Sequence, residues 1–252
     1  MNTDVLSFWN GRAQLQEKAG SNDIIAKSIE IDAISKFFSD DLEVMEFGCG
    51  NGITALEMAR RFEITVDAYD FSAEMIKAAQ QLASSMAIST RVAFAVGDIT
   101  RPPVIEKKFN IVFTERMIIN LATWEEQKMA IRTLCGYLKP GGKLLLLENS
   151  ATGLGKLNEL RSMAGLKTII APWHNIYLDD DKVEKLEIDG CELDQVVPYS
   201  ATYYFLSRVV NAWLAEREGK EPSYDAPVNE LALTLPAIGD HAQGKIWVFK
   251  RK

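Results

Sequence analysis

Residues 44–52 read Val-Met-Glu-Phe-Gly-Cys-Gly-Asn-Gly, an apolar run that enters a turn with three alternating glycines and then an amphipathic segment. Glycine has no Cβ, so such a turn folds tightly and lets a ligand approach its backbone. Two ligand classes compete for it. A dinucleotide site asks for Gly-x-Gly-x-x-Gly, with the last glycine inside the following helix so that a pyrophosphate sits on the helix N-terminus. Here the spacing is Gly-x-Gly-x-Gly, and Ile53 stands where that last glycine would be. Glu46, two residues before Gly48, would repel a pyrophosphate and suit a cationic ligand. A nucleoside without phosphates fits this turn better than a nicotinamide dinucleotide.

Two more acids close the next apolar runs, Asp70 in Ala68-Tyr69-Asp70-Phe71-Ser72 and Asp98 in Val96-Gly97-Asp98-Ile99. Taken singly, Asp70 could cap a helix starting at Ser72 and Asp98 could be a solvated loop residue. Their shared placement, at the carboxyl ends of successive strands, is where open α/β sheets bind ligands. With Leu138-Lys139-Pro140-Gly141-Gly142 further on, the four elements in this order resemble the class I S-adenosylmethionine-dependent methyltransferases over most of residues 42–149. The resemblance implies S-adenosyl-L-methionine as cofactor, held by Glu46, Gly48, Cys49, Gly50 and Gly52. It implies that Asp70, with Phe71 beside it, accepts hydrogen bonds from both ribose hydroxyls. It implies further that Asp98 takes the adenine amino group, that Ile99 packs beside the ring, and that Glu115 adjoins the cofactor.

In this family the segment after the fourth strand lines the methyl acceptor, and here it is Thr114-Glu115-Arg116-Met117-Ile118-Ile119-Asn120-Leu121. It lacks the Asn/Asp-Pro-Pro-Tyr motif of enzymes that methylate base amines or glutamine amides. It lacks the paired-glutamate loop of arginine methyltransferases and the aspartate set of the magnesium-dependent catechol type, so no metal is expected. A small-molecule acceptor remains. Phe8-Trp9-Asn10-Gly11-Arg12 is expected to fold over the cofactor, with Arg12 or Arg116 meeting a carboxylate, while Trp173, Tyr203 and Tyr204 wall the acceptor. His174 is the candidate general base, because an ordinary pKa near ~6.5 suits removal of a proton from a hydroxyl or ammonium. The expected reaction is methyl transfer to an oxygen or nitrogen of a small metabolite. A protein or RNA methyltransferase, and a cofactor-binding protein of the same fold without turnover, are the alternatives.

These residues need a sheet to position them. Apolar runs at 42–47, 64–69, 92–96, 110–114 and 143–147 alternate with helical patterns at 54–62, 72–84 and from Thr123 to about Leu138. That rhythm predicts βαβ units: an open, mostly parallel Rossmann-like methyltransferase sheet with helices on both faces. Before it, Ser21 or Asn22 is expected to cap a helix presenting Ile25, Ile29, Ala33 and Phe37. After it come a stretch at 150–180 without clear period, an acidic helix at 180–189, a strand at 192–197, a helix at 201–217 and an antiparallel last strand at 245–249. The reading is one domain over 1–252, with a helical cap at 1–40, a cofactor-binding core at 42–149 and lid insertions at 150–180 and 200–240.

Composition agrees with this outline. The chain has 252 residues, 47% apolar and 25% charged, with net charge −7. The acidic balance argues against nucleic-acid or anionic-membrane partners, which need a clustered positive field. Three widely spaced cysteines and two histidines support neither a disulfide framework nor a zinc site. With no signal-peptide pattern, a reducing cytoplasm is the expected location.

Overall fold

The computed structural model describes residues 3–15, 19–86 and 90–252. Its centre is a seven-stranded sheet in the order β3-β2-β1-β4-β5-β7-β6. The strands are β1 (Glu43–Phe47), β2 (Thr65–Asp70), β3 (Val92–Val96), β4 (Phe109–Glu115), β5 (Leu138–Asn149), β6 (Cys191–Val197) and β7 (Gly244–Arg251). The first five run parallel, and β7 lies antiparallel between β5 and β6. After β1 the chain winds outward through β2 and β3, then returns to place β4 on the other side of β1. That reversal opens a crevice at the carboxyl ends of β1 and β4, the usual ligand site of such sheets.

The strands read as near-continuous apolar runs because both faces of the sheet are covered. Val44, Val66, Phe113, Leu145 and Val248 face one core with helices α2 (Ile24–Ser35), α3 (Ile53–Arg61) and α4 (Ala73–Ser85). Met45, Val112, Leu144, Leu146 and Trp247 face the other, against Ile131 and Leu134 of α5 (Trp124–Gly136). Successive residues of β5 thus divide between two cores, as pleating requires. In α5 the Thr123 hydroxyl accepts from the Glu126 N–H, and the Glu126 carboxylate accepts from the Ala122 N–H, one residue ahead of an ideal capping box.

The chain departs from the sequence-based outline in four places. Helix α2 is capped by Asp23, whose carboxylate accepts from the Ala26 N–H, and not by Ser21 or Asn22. It also buries two faces, Ile31 and Ile34 toward the sheet and Ile25 and Ile29 toward a cluster around Tyr203. Residues 151–163 form an unforeseen helix, α6 (Ala151–Met163), because Gly153 is no breaker here: a Cβ on it would lie 1.9 Å from the Ala242 carbonyl oxygen. The acidic helix is only α7 (Asp180–Glu184), since the chain must then turn at Gly190, φ +70°, where Ile188 bridges to Cys191. The helix at 201–217 is interrupted: α8 (Ala201–Phe205) and α9 (Asn211–Arg217) are joined by a π turn at Leu206–Val210. A helix α1 (Thr3–Ala13) precedes α2, and α10 (Pro227–Glu230) precedes β7. Among the described residues, no helix is long and apolar enough to cross a membrane.

One buried acid ties the edge of the crevice together. Glu148, near the end of β5, accepts hydrogen bonds from the Thr114 hydroxyl at 2.7 Å, from the Ile118 N–H at 3.0 Å and from the Met117 N–H at 3.1 Å. It thereby fixes the short 3-10 turn Ile118–Asn120 against β4. Burial still pushes its carboxyl up to about 7 from an ordinary 4.5. Between those two values the folded chain binds more protons at Glu148 than the unfolded one, so this group lowers stability as pH rises from about 4.5 to about 7. Asp70, raised by burial to about 6, acts in the same sense. Melting temperatures recorded between about pH 5 and pH 8 should therefore decline, and Glu148→Gln, which keeps an acceptor oxygen, should show a shallower decline. A variant with the wild-type slope would remove Glu148 from this account.

Candidate active site

The turn Gly48–Gly52 lies between β1 and α3, and its three glycines have φ of 81°, 52° and 77°. Two of them are demanded by packing as well as by the backbone. A Cβ at Gly48 would lie 2.2 Å from the Met117 Cγ, and one at Gly52 would lie 2.6 Å from the Phe94 ring. Around Gly50 nothing lies within 4 Å of that position, which leaves the middle of the turn open. The turn is held from β2: the Gly48 and Cys49 N–H groups donate to the Tyr69 carbonyl at 2.7 and 2.9 Å, and the Gly50 N–H donates to Asp70 Oδ2 at 2.9 Å. Asp70 Oδ1 accepts from the Ser72 N–H at 2.8 Å, while the Ser72 side chain caps α4. Asp70 thus latches the turn and keeps further lone pairs for a ligand.

Next to the turn sits a buried group of charges. Glu115, at the end of β4, accepts from Lys27 Nζ of α2 at 2.6 Å, from the Thr54 hydroxyl of α3 at 2.6 Å and from the Arg116 guanidinium at 2.9 Å. Arg116 also pairs with Glu30 at 3.4 Å. Against burial, the charges of Lys27 and Arg116 hold the Glu115 carboxyl well below the usual carboxylate range. Burial pushes Glu30 up to about 7. Arg116 has φ +52°, a left-handed conformation that only two non-glycine residues among those described adopt. Such strain persists where the surroundings over-determine it. Glu46 is buried beside this group, its Oε2 without a hydrogen-bond partner, and burial together with the Glu115 charge raises its carboxyl.

A cavity of about 390 Å³ opens onto both features. Its walls include Glu46, Gly48, Cys49, Gly50, Asp70, Phe71 and Glu115 on one side, and Trp9, Arg12, Arg116, His174, Tyr204 and Arg208 on another. The His174 ring lies 4.3 Å from Phe8, 5.3 Å from Trp173 and 5.9 Å from Trp9, and its Nδ1 is buried without a partner. Burial, with the charge of Arg12 added, lowers its pKa below 6.5, so its imidazole is neutral at pH 7. The Trp9 indole N–H donates to Asn120 Oδ1 at 3.0 Å, which fastens α1 to the turn that Glu148 holds.

Most of the residues singled out in the sequence therefore converge, and five do not line the cavity. Asp98 folds back on its own loop, accepting from the Thr100 N–H and hydroxyl, and Ile99 is buried in the core beneath β4. Gly52 packs on Phe94. Trp173 is 66% exposed. Tyr203 is buried, its hydroxyl donating to Asp23. Arg116, expected to meet a ligand carboxylate, is engaged by Glu30 and Glu115. The cavity also contains residues the sequence did not single out, among them Lys27, Asn51, Thr54, Tyr177, Arg208 and Tyr224. Only Arg208 left a sign in the sequence, as the charged residue of the Leu206-Ser207-Arg208-Val209-Val210 stretch.

Comparison with known proteins bears on this geometry. Residues 44–142 match the methyltransferase domain family. The chain is 28% identical to ajmaline N-methyltransferase of Rauvolfia serpentina, over 44% of this chain and 39% of that one. It is 30% identical to malonyl-[acyl-carrier protein] O-methyltransferase of Priestia megaterium, over 51% and 43%. The chain thus spans less than half the length of the curated relatives it matches. The CcbJ methyltransferase of Streptomyces caelestis has the same fold, with a TM-score of 0.59 at 12% identity, over 91% of this chain and 90% of that one.

The open middle of the turn, the spare lone pairs of Asp70 and the unpartnered Glu46 oxygen fit a nucleoside that carries positive charge. Calorimetry with S-adenosylhomocysteine should show Asp70→Ala weakening binding by about 1.5–3 kcal/mol, as for a lost hydrogen bond to a charged group. Thermal-shift titration should show stabilisation by S-adenosylhomocysteine and none by NAD. The opposite pattern would reverse the choice of cofactor.

Proposed function

We propose that this chain, whose residues 44–142 match a methyltransferase domain family, transfers a methyl group from S-adenosylmethionine to an oxygen or nitrogen of a small metabolite. The observation that carries the reading is the size and lining of the site. One cavity of about 390 Å³, a volume in the small-ligand range, is bounded by the glycine turn on one side and by α1, residues 172–177 and the helix at 201–217 on the other. In this reading residues 1–40, 150–180 and 200–240 cover the acceptor. S-adenosylmethionine, when bound, supplies an electrophilic methyl on its sulfonium.

The chain's own residues would then bind, align and exclude water. Asp70 and the Gly50 region would receive the nucleoside. Glu46 and the Glu115 side of the buried charge group would favour the cation. Trp9, Phe8 and Tyr204 would wall the acceptor away from solvent, and Arg12 adds a positive charge to that wall. Alignment of a strong electrophile with its nucleophile supplies most of the rate, up to roughly 7–11 kcal/mol of a barrier. His174 would accept the proton that the acceptor's hydroxyl or ammonium loses, since its ring is neutral at pH 7 and its Nδ1 is unpartnered.

Methyl-labelled S-adenosylmethionine offered with a fractionated cell extract tests the proposal: label should enter the low-mass fraction. Label confined to protein or RNA would replace the small-molecule reading with a macromolecular one. On the acceptor so found, His174→Ala should lower kcat by about 10²–10⁴ and leave S-adenosylhomocysteine affinity nearly intact. Because the histidine's pKa is lowered, the wild-type rate should be level above about pH 6.5 and fall only below it. Near-normal turnover in the variant would leave alignment alone as the source of catalysis.

A further inference from the structure

Arg208 stands in the cavity without the compensation that the other buried cations have. Lys27 and Arg116 face Glu115 and Glu30. Among the described residues no carboxylate forms an ion pair with Arg208. Its guanidinium carbon lies 5.8 Å from the Tyr204 ring centroid and 5.0 Å from that of Tyr224, so the cation rests against two aromatic faces. A second cation lies close by. The Arg161 guanidinium donates to the Arg208 carbonyl oxygen, and its own pKa is lowered by burial and by the Arg208 charge. The acid whose field reaches Arg208 is Asp23, and its oxygens already accept from the Tyr203 hydroxyl and the Ala26 N–H.

The backbone points the same way. Arg208 occupies the middle of the π turn Leu206–Val210. A π turn inside a helix weakens local hydrogen bonding, shifts the side chains that follow, and recurs at functional sites. Here Leu206 and Val209 pack into the Tyr203 cluster while Arg208 lines the cavity. A guanidinium offers donors in a planar fork that matches carboxylate and phosphate oxygens, and a desolvated cation is favourable only with an anion beside it.

We propose that the methyl acceptor carries an anionic oxygen group, a carboxylate or a phosphate, bound by Arg208 against Tyr204 and Tyr224. This deepens the small-molecule methyl-transfer reading and rests on it. The acceptor would enter with its anion toward the helix at 201–217 and its nucleophilic atom toward the cofactor.

Calorimetric titration of the S-adenosylhomocysteine complex with benzoate, phenyl phosphate and neutral benzamide tests the proposal. The wild-type complex should bind at least one of the two anions and not benzamide, and the tighter anion tells carboxylate from phosphate. Arg208→Gln should weaken that anion by about ten- to a hundredfold, the range of a lost charged hydrogen bond, and Arg208→Lys should weaken it less. S-adenosylhomocysteine affinity should be the same in all three proteins. If Arg208→Gln melts early, Tyr224→Leu, at a ring 43% exposed, removes one aromatic face and should weaken the same anion. No anion bound by the wild-type complex, benzamide bound as well as the anions, or an anion affinity indifferent to Arg208→Gln would overturn the inference and leave methyl transfer standing. A loss of S-adenosylhomocysteine affinity in Arg208→Gln would assign the guanidinium to the cofactor's own carboxylate and also overturn it. Failure of the wild-type protein to bind S-adenosylhomocysteine would strike the methyl-transfer reading itself.

Discussion

The site depends on one buried exchange of charge, in which Lys27, Glu30, Glu115 and Arg116 neutralise each other at the carboxyl end of β4. Side chains of Glu30 and Glu115 are only 5% exposed. Removing any one member of such a group strands its partner, at a cost of about 3–5 kcal/mol, whereas the intact group is close to neutral in stability. Its value is therefore geometric. Lys27 and Glu30 reach the sheet from α2, Thr54 reaches it from α3, and Arg116 must adopt a left-handed backbone to meet both acids. The N-terminal helices are thereby bolted to the crevice, and α1 follows through the bond from Trp9 to Asn120.

This arrangement also sorts the cavity by charge. Around the glycine turn, Glu46 and Asp70 are buried acids, and the cations nearest to them are already committed to Glu115 and Glu30. Toward the helix at 201–217 stands Arg208, which forms no ion pair among the described residues and feels Asp23 as its nearest acidic field. A low-dielectric cavity with acids at one wall and a cation without an ion-pair partner at another orients a ligand pair before any contact is made. The neutral His174 lies among aromatic rings, where a proton acceptor is not quenched by a carboxylate.

What the sequence reveals follows from how local each cause is. The strand, glycine turn and distal acid are written within about thirty residues, because the backbone conformation at Gly48 and Gly52 tolerates no other side chain. The order and direction of the strands are equally legible, since covered parallel strands must be apolar on both faces. Lys27 was invisible because it meets Glu115 across 88 positions of sequence. Helix α6 was hidden by Gly153, which reads as a breaker until the Ala242 carbonyl is seen against it. The π turn was hidden because the apolar spacing of Leu206, Val209 and Val210 describes an unbroken helix equally well. Asp98 is legible by its place in the motif order, whereas the bonds its Oδ1 accepts from Thr100 become visible only in the fold.

The antiparallel β7 explains why the covering segments gather where they do. Asn149, at the carboxyl end of β5, is in register with Gly244, the first residue of β7, and Val197, the last residue of β6, is in register with Ile246. The chain from 198 to 243 therefore leaves and re-enters the sheet at the same edge as the glycine turn and Glu115. A parallel last strand would have begun at the opposite edge and drawn this segment across a face of the sheet. By contrast, β6 starts at Cys191 opposite Arg251, at the far edge, so residues 150–190 must cross from the crevice to the other end. Of this segment only the stretch 172–177 reaches the cavity, with Pro172, His174, Asn175 and Tyr177 lining it. Strand direction thus keeps the segment carrying Tyr204 and Arg208 at the crevice end from start to finish, while the segment bearing His174 only passes that end on its way across.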